Sequence, residues 1–133
     1  MAERVYCLYR GKDQESILMQ KNACHDFAEK KGWNIVGEEQ EIDVSGYKVS
    51  TDDLVKLKRI RKAAEQGEFD ILLVFMYDRL GRNLNETPFI AEWFTKKGIH
   101  VWSVYEGEII DGVDAERMLD YIRFWQTDEA QKL

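Results

Sequence analysis

One run of the sequence, "FDILLVFMY" at residues 69 to 77, is almost wholly apolar, so that neither of its alternating faces is polar. A strand with two apolar faces is typical of the centre of a parallel sheet that is covered by helices on both sides. The run leads directly into the charged residues Asp78, Arg79 and Arg82. It therefore predicts an α/β fold with a charged group at the carboxyl end of a central strand.

Further strands and helices alternate around this central run. The other expected strands are "VYCLY" (5–9), "WNIVG" (33–37) and "IHVWSVY" (99–105). Apolar residues at helical spacing predict helices that follow Ser16, Thr51 and Thr87, and a last helix from about Asp114. The first three of these residues are expected N-caps, and the sequence "KKG", at 30–32 and again at 96–98, suits a helix end.

This alternation predicts a three-layer fold with a mainly parallel, four-stranded sheet and helices on both faces. With the strands numbered along the chain, the expected order is 2-1-3-4. Ligands of open α/β sheets bind at the carboxyl ends of strands where the order reverses, which is here between strands 1 and 3. Arg10 follows strand 1, and Asp78, Arg79 and Arg82 follow strand 3. We therefore expect three arginines and one carboxylate in a single crevice.

Three guanidinium groups beside one carboxylate suit a phosphate or a phosphodiester, because arginine presents a planar fork of donors and keeps its charge. Asp78 would orient an arginine or take part in proton transfer. The alternative is a surface ion pair between Asp78 and Arg79, with Arg82 as a solvated loop residue. Lys12, in the loop after strand 1, either contacts the phosphate or is an exposed lysine.

Composition limits the other possibilities. The chain has 133 residues, which suits one domain, and its net charge of −6 with a pI of about 5.0 means that any basic site is local. Cys7 and Cys24 do not have metal-ligand spacing with His25 and His100, so we expect buried thiols in a cytoplasmic protein and no metal. No Walker loop and no GxGxxG sequence follows the first strand, and no cofactor is expected.

Six segments, in order along the chain, resemble the catalytic domain of serine site-specific recombinases, the resolvase/invertase family, and in detail the large serine recombinases. They are "LYR" (8–10), "SILMQ" (16–20), "AEKKGWNIV" (28–36), "DVSGY" (43–47), "GEFDILLVFMYDRLGRN" (67–83) and "GIHVWSVYEG" (98–107). The most specific is the fifth, which ends in the family's D-R-L-x-R. The resemblance implies a single resolvase-like catalytic domain over residues 1–133.

The resemblance also implies a mechanism. A serine attacks a DNA phosphodiester and becomes joined to a 5′ phosphate, arginines hold that phosphate, and strands exchange within a tetramer without a metal or a cofactor. By motif, the residues expected at the phosphate are Arg10, Asp78, Arg79 and Arg82, with Gln20 as a support. The loop expected to contact DNA contains Lys12, Ser45 and Gly46.

The sequence departs from the family where the nucleophile belongs. The family has its serine two residues after the arginine of strand 1, and Lys12 stands there. Ser16 is a candidate replacement, although an N-cap role explains it equally well. The missing serine is compatible with a degenerate or engineered domain, an altered loop, or residues absent from this sequence, and we expect no cleavage by the chain as it stands.

The expected partners are DNA, contacted mainly through a C-terminal region beyond residue 133, and further copies of the chain in a homodimer or tetramer. An apolar stripe on the last helix, formed by Met118, Leu119, Ile122 and Trp125, is the expected dimer contact. Two other functions use the same kind of sheet. A receiver-type signalling domain would place its phosphorylated aspartate at Asp78, and a nucleotide- or flavin-binding module would use the same crevice.

Overall fold

The computed structural model describes residues 3–42, 51–80 and 87–109, with the backbone alone for residues 51–55. Its strands are β1 (Arg4–Gly11), β2 (Asn34–Ile42), β3 (Ile71–Val74), β4 (His100–Ser103) and β5 (Gly107–Ile109). Its helices are α1 (Gln14–Lys31), α2 (Thr51–Glu65) and α3 (Thr87–Lys96), and a 3₁₀ turn covers Tyr77–Arg79.

The strands form one sheet in the order β2-β1-β3-β4-β5. The first four are parallel, which confirms the predicted order 2-1-3-4. β5 pairs antiparallel with β4 at one border of the sheet and was not predicted. Its three residues follow a tight turn, which gives them too short a pattern to recognise from sequence.

Helices cover both faces of this sheet. The core between α1 and one face of the sheet includes Val5, Cys7, Tyr9, Ile17, Cys24, Ile71 and Leu73. The core between the opposite face and the helices α2 and α3 includes Leu8, Ile60, Ala64, Leu72, Val74 and Phe94. Successive residues of β3, such as Leu72 and Leu73, therefore point into different cores and are both fully buried. This arrangement confirms the three-layer fold and explains why the run at 69–77 lacks a polar face.

Several predicted element limits differ from the structure. The N-cap of α1 is Asp13, whose carboxylate accepts a hydrogen bond from the backbone N–H of Ser16 at 2.8 Å. The prediction of Ser16 as N-cap is therefore wrong, because the competing aspartate three residues earlier takes that role. The predicted end of α1 is confirmed, since Gly32 has φ of 73° and caps the last carbonyls.

The strands that carry the charged exits also differ in length from the prediction. β1 runs to Gly11 and β2 to Ile42, and these two residues are paired across the ladder. β3 is shorter than expected, because the chain leaves the sheet after Val74 and enters the 3₁₀ turn. None of the helices within the described residues is long and apolar enough to span a membrane.

Candidate phosphate site

The carboxyl ends of β1 and β3 are direct neighbours in the sheet. Leu8 pairs with Val74 at the end of their parallel ladder, and no strand lies between them. β1 continues to Gly11, and the 3₁₀ turn that follows β3 contacts it. The sheet therefore brings the segment that carries Arg10 and the segment that carries Asp78 to the same edge.

Gln20 fixes the backbone of Arg10 at this edge. The Gln20 side chain is fully buried, and its amide oxygen accepts a hydrogen bond from the N–H of Arg10 at 3.1 Å. Its amide nitrogen donates to the carbonyl oxygen of Arg10 at 2.7 Å and to the Ser16 hydroxyl at 3.3 Å. One buried side chain thus satisfies both backbone groups of Arg10 and ties them to the first turns of α1.

The Arg10 guanidinium forms an ion pair that the sequence did not predict. Its Nη2 lies 3.0 Å from Oε2 of Glu41, and the exposed fractions of the two side chains are 14% and 6%. Glu41 lies beside Arg10 in the ladder between β1 and β2. The predicted strand ended at Gly37, so the pairing of Arg10 with Glu41 was not expected. The carboxylate offsets much of the positive charge at the end of β1.

Asp78 and Arg79 form a second, looser pair in the 3₁₀ turn. Arg79 Nε lies 3.6 Å from Asp78 Oδ1, which is within ion-pair range but longer than a hydrogen bond. Both atoms are buried, and neither has a hydrogen-bond partner within the part of the chain that the structure describes. Buried polar atoms of this kind normally have partners. The pair therefore retains hydrogen-bonding capacity that a ligand oxygen or a water molecule would use.

The remaining predicted site residues lie in different parts of the chain. Ser16 lies in the first turn of α1 against Gly11, where a Cβ atom would come within 2.5 Å of the Ser16 hydroxyl oxygen. Lys12 is exposed in the turn between β1 and α1. Arg82, Ser45 and Gly46 lie outside the described residues, as does the apolar stripe of the last expected helix. Within the described ranges, no ion pair joins Arg10 to the pair formed by Asp78 and Arg79.

A separate polar cluster lies between α1 and β2. The Tyr9 hydroxyl donates to Glu38 Oε2 at 2.6 Å, and His25 Nε2 lies 2.9 Å from the same oxygen. Burial opposes ionisation of Glu38, but the hydrogen bonds from His25 and Tyr9 outweigh it and lower the pKa of this carboxyl. Burial raises the pKa of Tyr9. An open cavity of about 320 Å³ adjoins the cluster, with Lys21 and Lys56 at its wall.

The described residues form a mostly parallel α/β sheet with charged side chains at the exits of its two central strands. A family model described as "Resolvase, N terminal domain" matches residues 10–129. The chain therefore belongs to the family of resolvase N-terminal domains. No curated protein matches the chain closely enough to count as a relative.

Solved structures agree with this assignment. The chain is similar to the N-terminal catalytic domain of TP901-1 integrase, with 24% identity over 93% of this chain and 96% of that one and a TM-score of 0.71. It is also similar to the C-terminal catalytic domain of ISC1926 TnpA, an IS607-like serine recombinase, with 23% identity, coverage of 90% and 79% and a TM-score of 0.64.

A third similar structure is a resolvase family site-specific recombinase from Streptococcus pneumoniae, with 19% identity, coverage of 98% and 92% and a TM-score of 0.72. At these identities the likeness extends to the fold. Together with the family match, it associates the chain with site-specific recombination at the level of the family.

Proposed function

We propose that this chain is a serine-recombinase catalytic domain that holds a DNA phosphate at the exits of β1 and β3. The ligating groups in this proposal are the guanidiniums of Arg10, Arg79 and Arg82, with Asp78 orienting them and Gln20 bracing Arg10. The observation that carries the proposal is the direct pairing of β1 with β3, which brings both charged exits to one edge. The Nε of Arg79 supports it, since this buried atom has no hydrogen-bond partner among the described residues.

The proposed reaction of the family type is DNA strand cleavage and exchange through a phosphoserine linkage. Lys12 stands where the family has its nucleophile, so we propose that this chain binds phosphate without forming the covalent bond. A second possibility assigns the nucleophile to Ser16, and its favourable observation is the position of Ser16 against Gly11 and in hydrogen-bond contact with Gln20.

The proposal extends to partners and subtype. The substrate is DNA, and the working form of the full protein is a homodimer or tetramer. We assign the chain to the large serine recombinases, and the support for this subtype is the fold likeness to an integrase catalytic domain at 24% identity.

Phosphate binding is tested by titrating a labelled 30-base-pair duplex with the chain at several salt concentrations. We expect weak affinity, with a dissociation constant of roughly 10⁻⁴ to 10⁻⁶ M, because the contact is to the DNA backbone. Arg79→Ala should weaken binding and reduce the slope against log salt by about 1. The control is Arg59→Ala, which removes an exposed guanidinium from α2. Equal effects of the two variants would contradict the site.

Covalent chemistry is tested separately on a denaturing gel. The chain is incubated with labelled supercoiled and linear DNA, and protein-linked label is sought after denaturation. We expect none, because no serine follows Arg10 at the family's spacing. A retained adduct would overturn this expectation, and its loss in Ser16→Ala, with retention in Ser50→Ala, would assign the nucleophile to Ser16.

A further inference from the structure

Glu106, in the turn between β4 and β5, contacts the start of the 3₁₀ turn that carries Asp78 and Arg79. The backbone N–H of Tyr77 donates to both carboxylate oxygens of Glu106, at 3.2 and 3.0 Å. The Ser103 hydroxyl donates to Oε2 of the same carboxylate at 2.8 Å and accepts a hydrogen bond from the Glu106 N–H, also at 2.8 Å. Three hydrogen bonds therefore fix the carboxylate between β4 and the turn, and a fourth fixes the Glu106 backbone to β4.

Glu106 takes the place of an N-cap side chain for the 3₁₀ turn. Met76 precedes the turn and provides no side-chain hydrogen bond to it. The Tyr77 side chain is fully buried, so this residue anchors the turn through its ring and through its N–H to Glu106. Asp78 and Arg79 are the next two residues, and their directions depend on the backbone that Tyr77 begins.

The local environment does not favour the charge that Glu106 carries. Burial is the main cause that raises the pKa of this carboxyl, and the nearby carboxylate of Asp78 adds to it. The hydrogen bonds from Ser103 and Tyr77 act in the opposite direction without offsetting it. The hydrogen bonds nevertheless place this carboxylate against the start of the turn, and this geometry indicates a positioning role.

We propose that Glu106 is the positioning residue of the phosphate site, and that its carboxylate orients Asp78 and Arg79 by holding the N–H of Tyr77. The ligand in this inference, a DNA phosphate, rests on the proposed function. Glu106 itself does not touch the phosphate. It acts through the backbone of the turn, so its loss affects the fraction of molecules in which Arg79 points toward the ligand.

The test compares Glu106→Gln and Glu106→Ala with a matched control, Glu108→Gln. Glu108 lies in the same hairpin, and its carboxylate pairs with His100 at the surface. The first readout is the amide signal of Tyr77 in nuclear magnetic resonance. In the unchanged protein it should follow the titration of Glu106, with a midpoint above the ordinary glutamate range. Glu106→Gln should abolish that titration. It should also accelerate amide exchange of Tyr77 about tenfold, because the hydrogen bond to residue 106 is no longer assisted by a charge.

The second readout is DNA affinity, measured with the same 30-base-pair duplex. If the binding orientation of the turn falls to about one third of the molecules, affinity falls about threefold. We expect this for Glu106→Gln with no loss of global stability, because the substitution removes an unfavourably buried charge. A merely structural role would instead lower stability. Glu108→Gln should leave the affinity and the Tyr77 titration unchanged.

The outcomes separate this inference from the proposed function. Absence of DNA binding by the unchanged protein would contradict the proposed function, while the Tyr77 amide would still decide whether Glu106 holds the turn. Equal DNA affinity of the unchanged protein and Glu106→Gln would overturn the inference and leave the proposed function standing. An unaltered Tyr77 amide in Glu106→Gln would overturn it as well.

Discussion

At the scale of single residues, Arg10 is the centre of the proposed phosphate site. Gln20 holds its backbone through two hydrogen bonds, and Glu41 holds its guanidinium through a nearly buried ion pair. A phosphate that binds Arg10 therefore competes with a carboxylate already in place. A DNA phosphodiester carries one negative charge, as a carboxylate does, so the Glu41 carboxylate lowers the affinity of Arg10 for it.

Glu41→Gln should consequently change binding and stability in opposite directions. Affinity for duplex DNA should rise severalfold, because this carboxylate no longer competes for the guanidinium. The free energy of unfolding should fall by roughly 1.5–3 kcal/mol, since a hydrogen bond to a charged group is lost from a nearly buried site. Glu39→Gln is the control on the same strand, where the pair with the exposed guanidinium of Arg59 should contribute less than about 1 kcal/mol. Duplex titration and urea unfolding measure the two effects. A fall in both quantities would mean that Glu41 supports the site and does not compete for it.

At the scale of elements, the junction between β1 and α1 depends on a close approach. Gly11 ends the strand, and a Cβ atom there would lie 2.5 Å from the hydroxyl oxygen and 2.8 Å from the Cβ atom of Ser16. A hydroxyl can rotate away, but a Cβ atom is fixed by its backbone. Position 11 thus requires a glycine, because the strand and the helix meet without room for a side chain.

Gly11→Ala should destabilise the protein by about 1–3 kcal/mol, the usual range for an overpacked contact. The clash displaces Ser16 and with it the first turn of α1, which should loosen the hydrogen bonds from Gln20 to Arg10. Urea unfolding gives the loss of stability, and hydrogen exchange at the amide of Arg10 gives the local effect. Lys12→Ala, one residue later and exposed, is the control. Unchanged stability in Gly11→Ala would show that the helix start moves freely.

The elements also show what sequence can and cannot predict. Periodicity located the four parallel strands and their order, because apolar runs and crossover rules act locally. The N-cap of α1 was misplaced because Asp13 and Ser16 are both good caps, and sequence does not rank two candidates three residues apart. The partners Glu41 and Glu106 were missed for a different reason. Each meets its target through the register of a ladder or a turn, and that register is fixed by tertiary packing.

At the scale of the whole molecule, carboxylates affect the pH dependence of folding in both directions. Hydrogen bonds from Arg4 lower the pKa of Asp70, and those from His25 and Tyr9 lower that of Glu38 against the effect of burial. Such groups contribute stability that is present above their unfolded pKa and is lost as the pH falls through the folded one. Glu106 has a raised pKa, so its contribution is present below the unfolded value and is lost as the pH rises.

Glu38→Gln should therefore lower stability at pH 7 and have a diminishing effect on acidification. The difference from the unchanged protein should shrink below about pH 4.3, where glutamate protonates in the unfolded chain, and should be lost as the pH falls through the lowered pKa of the folded state. Urea unfolding at intervals from pH 7 to pH 3 measures it. Glu29→Gln, at an exposed position of α1, is the control. A difference that stays constant across this range would assign the effect of Glu38 to packing and not to its charge.

Three acidic side chains attach the border strand β2 to its neighbours. Glu38 contacts His25 of α1, Glu39 contacts Arg59 of α2, and Glu41 contacts Arg10 of β1. The middle of the sheet is joined by apolar contacts on both faces. Ionic strength weakens the more exposed ion pairs, those of Glu38 and Glu39, and affects the nearly buried pair of Glu41 and the apolar contacts much less. Concentrated salt should therefore loosen the contacts of β2 with α1 and α2 before it affects the centre of the sheet.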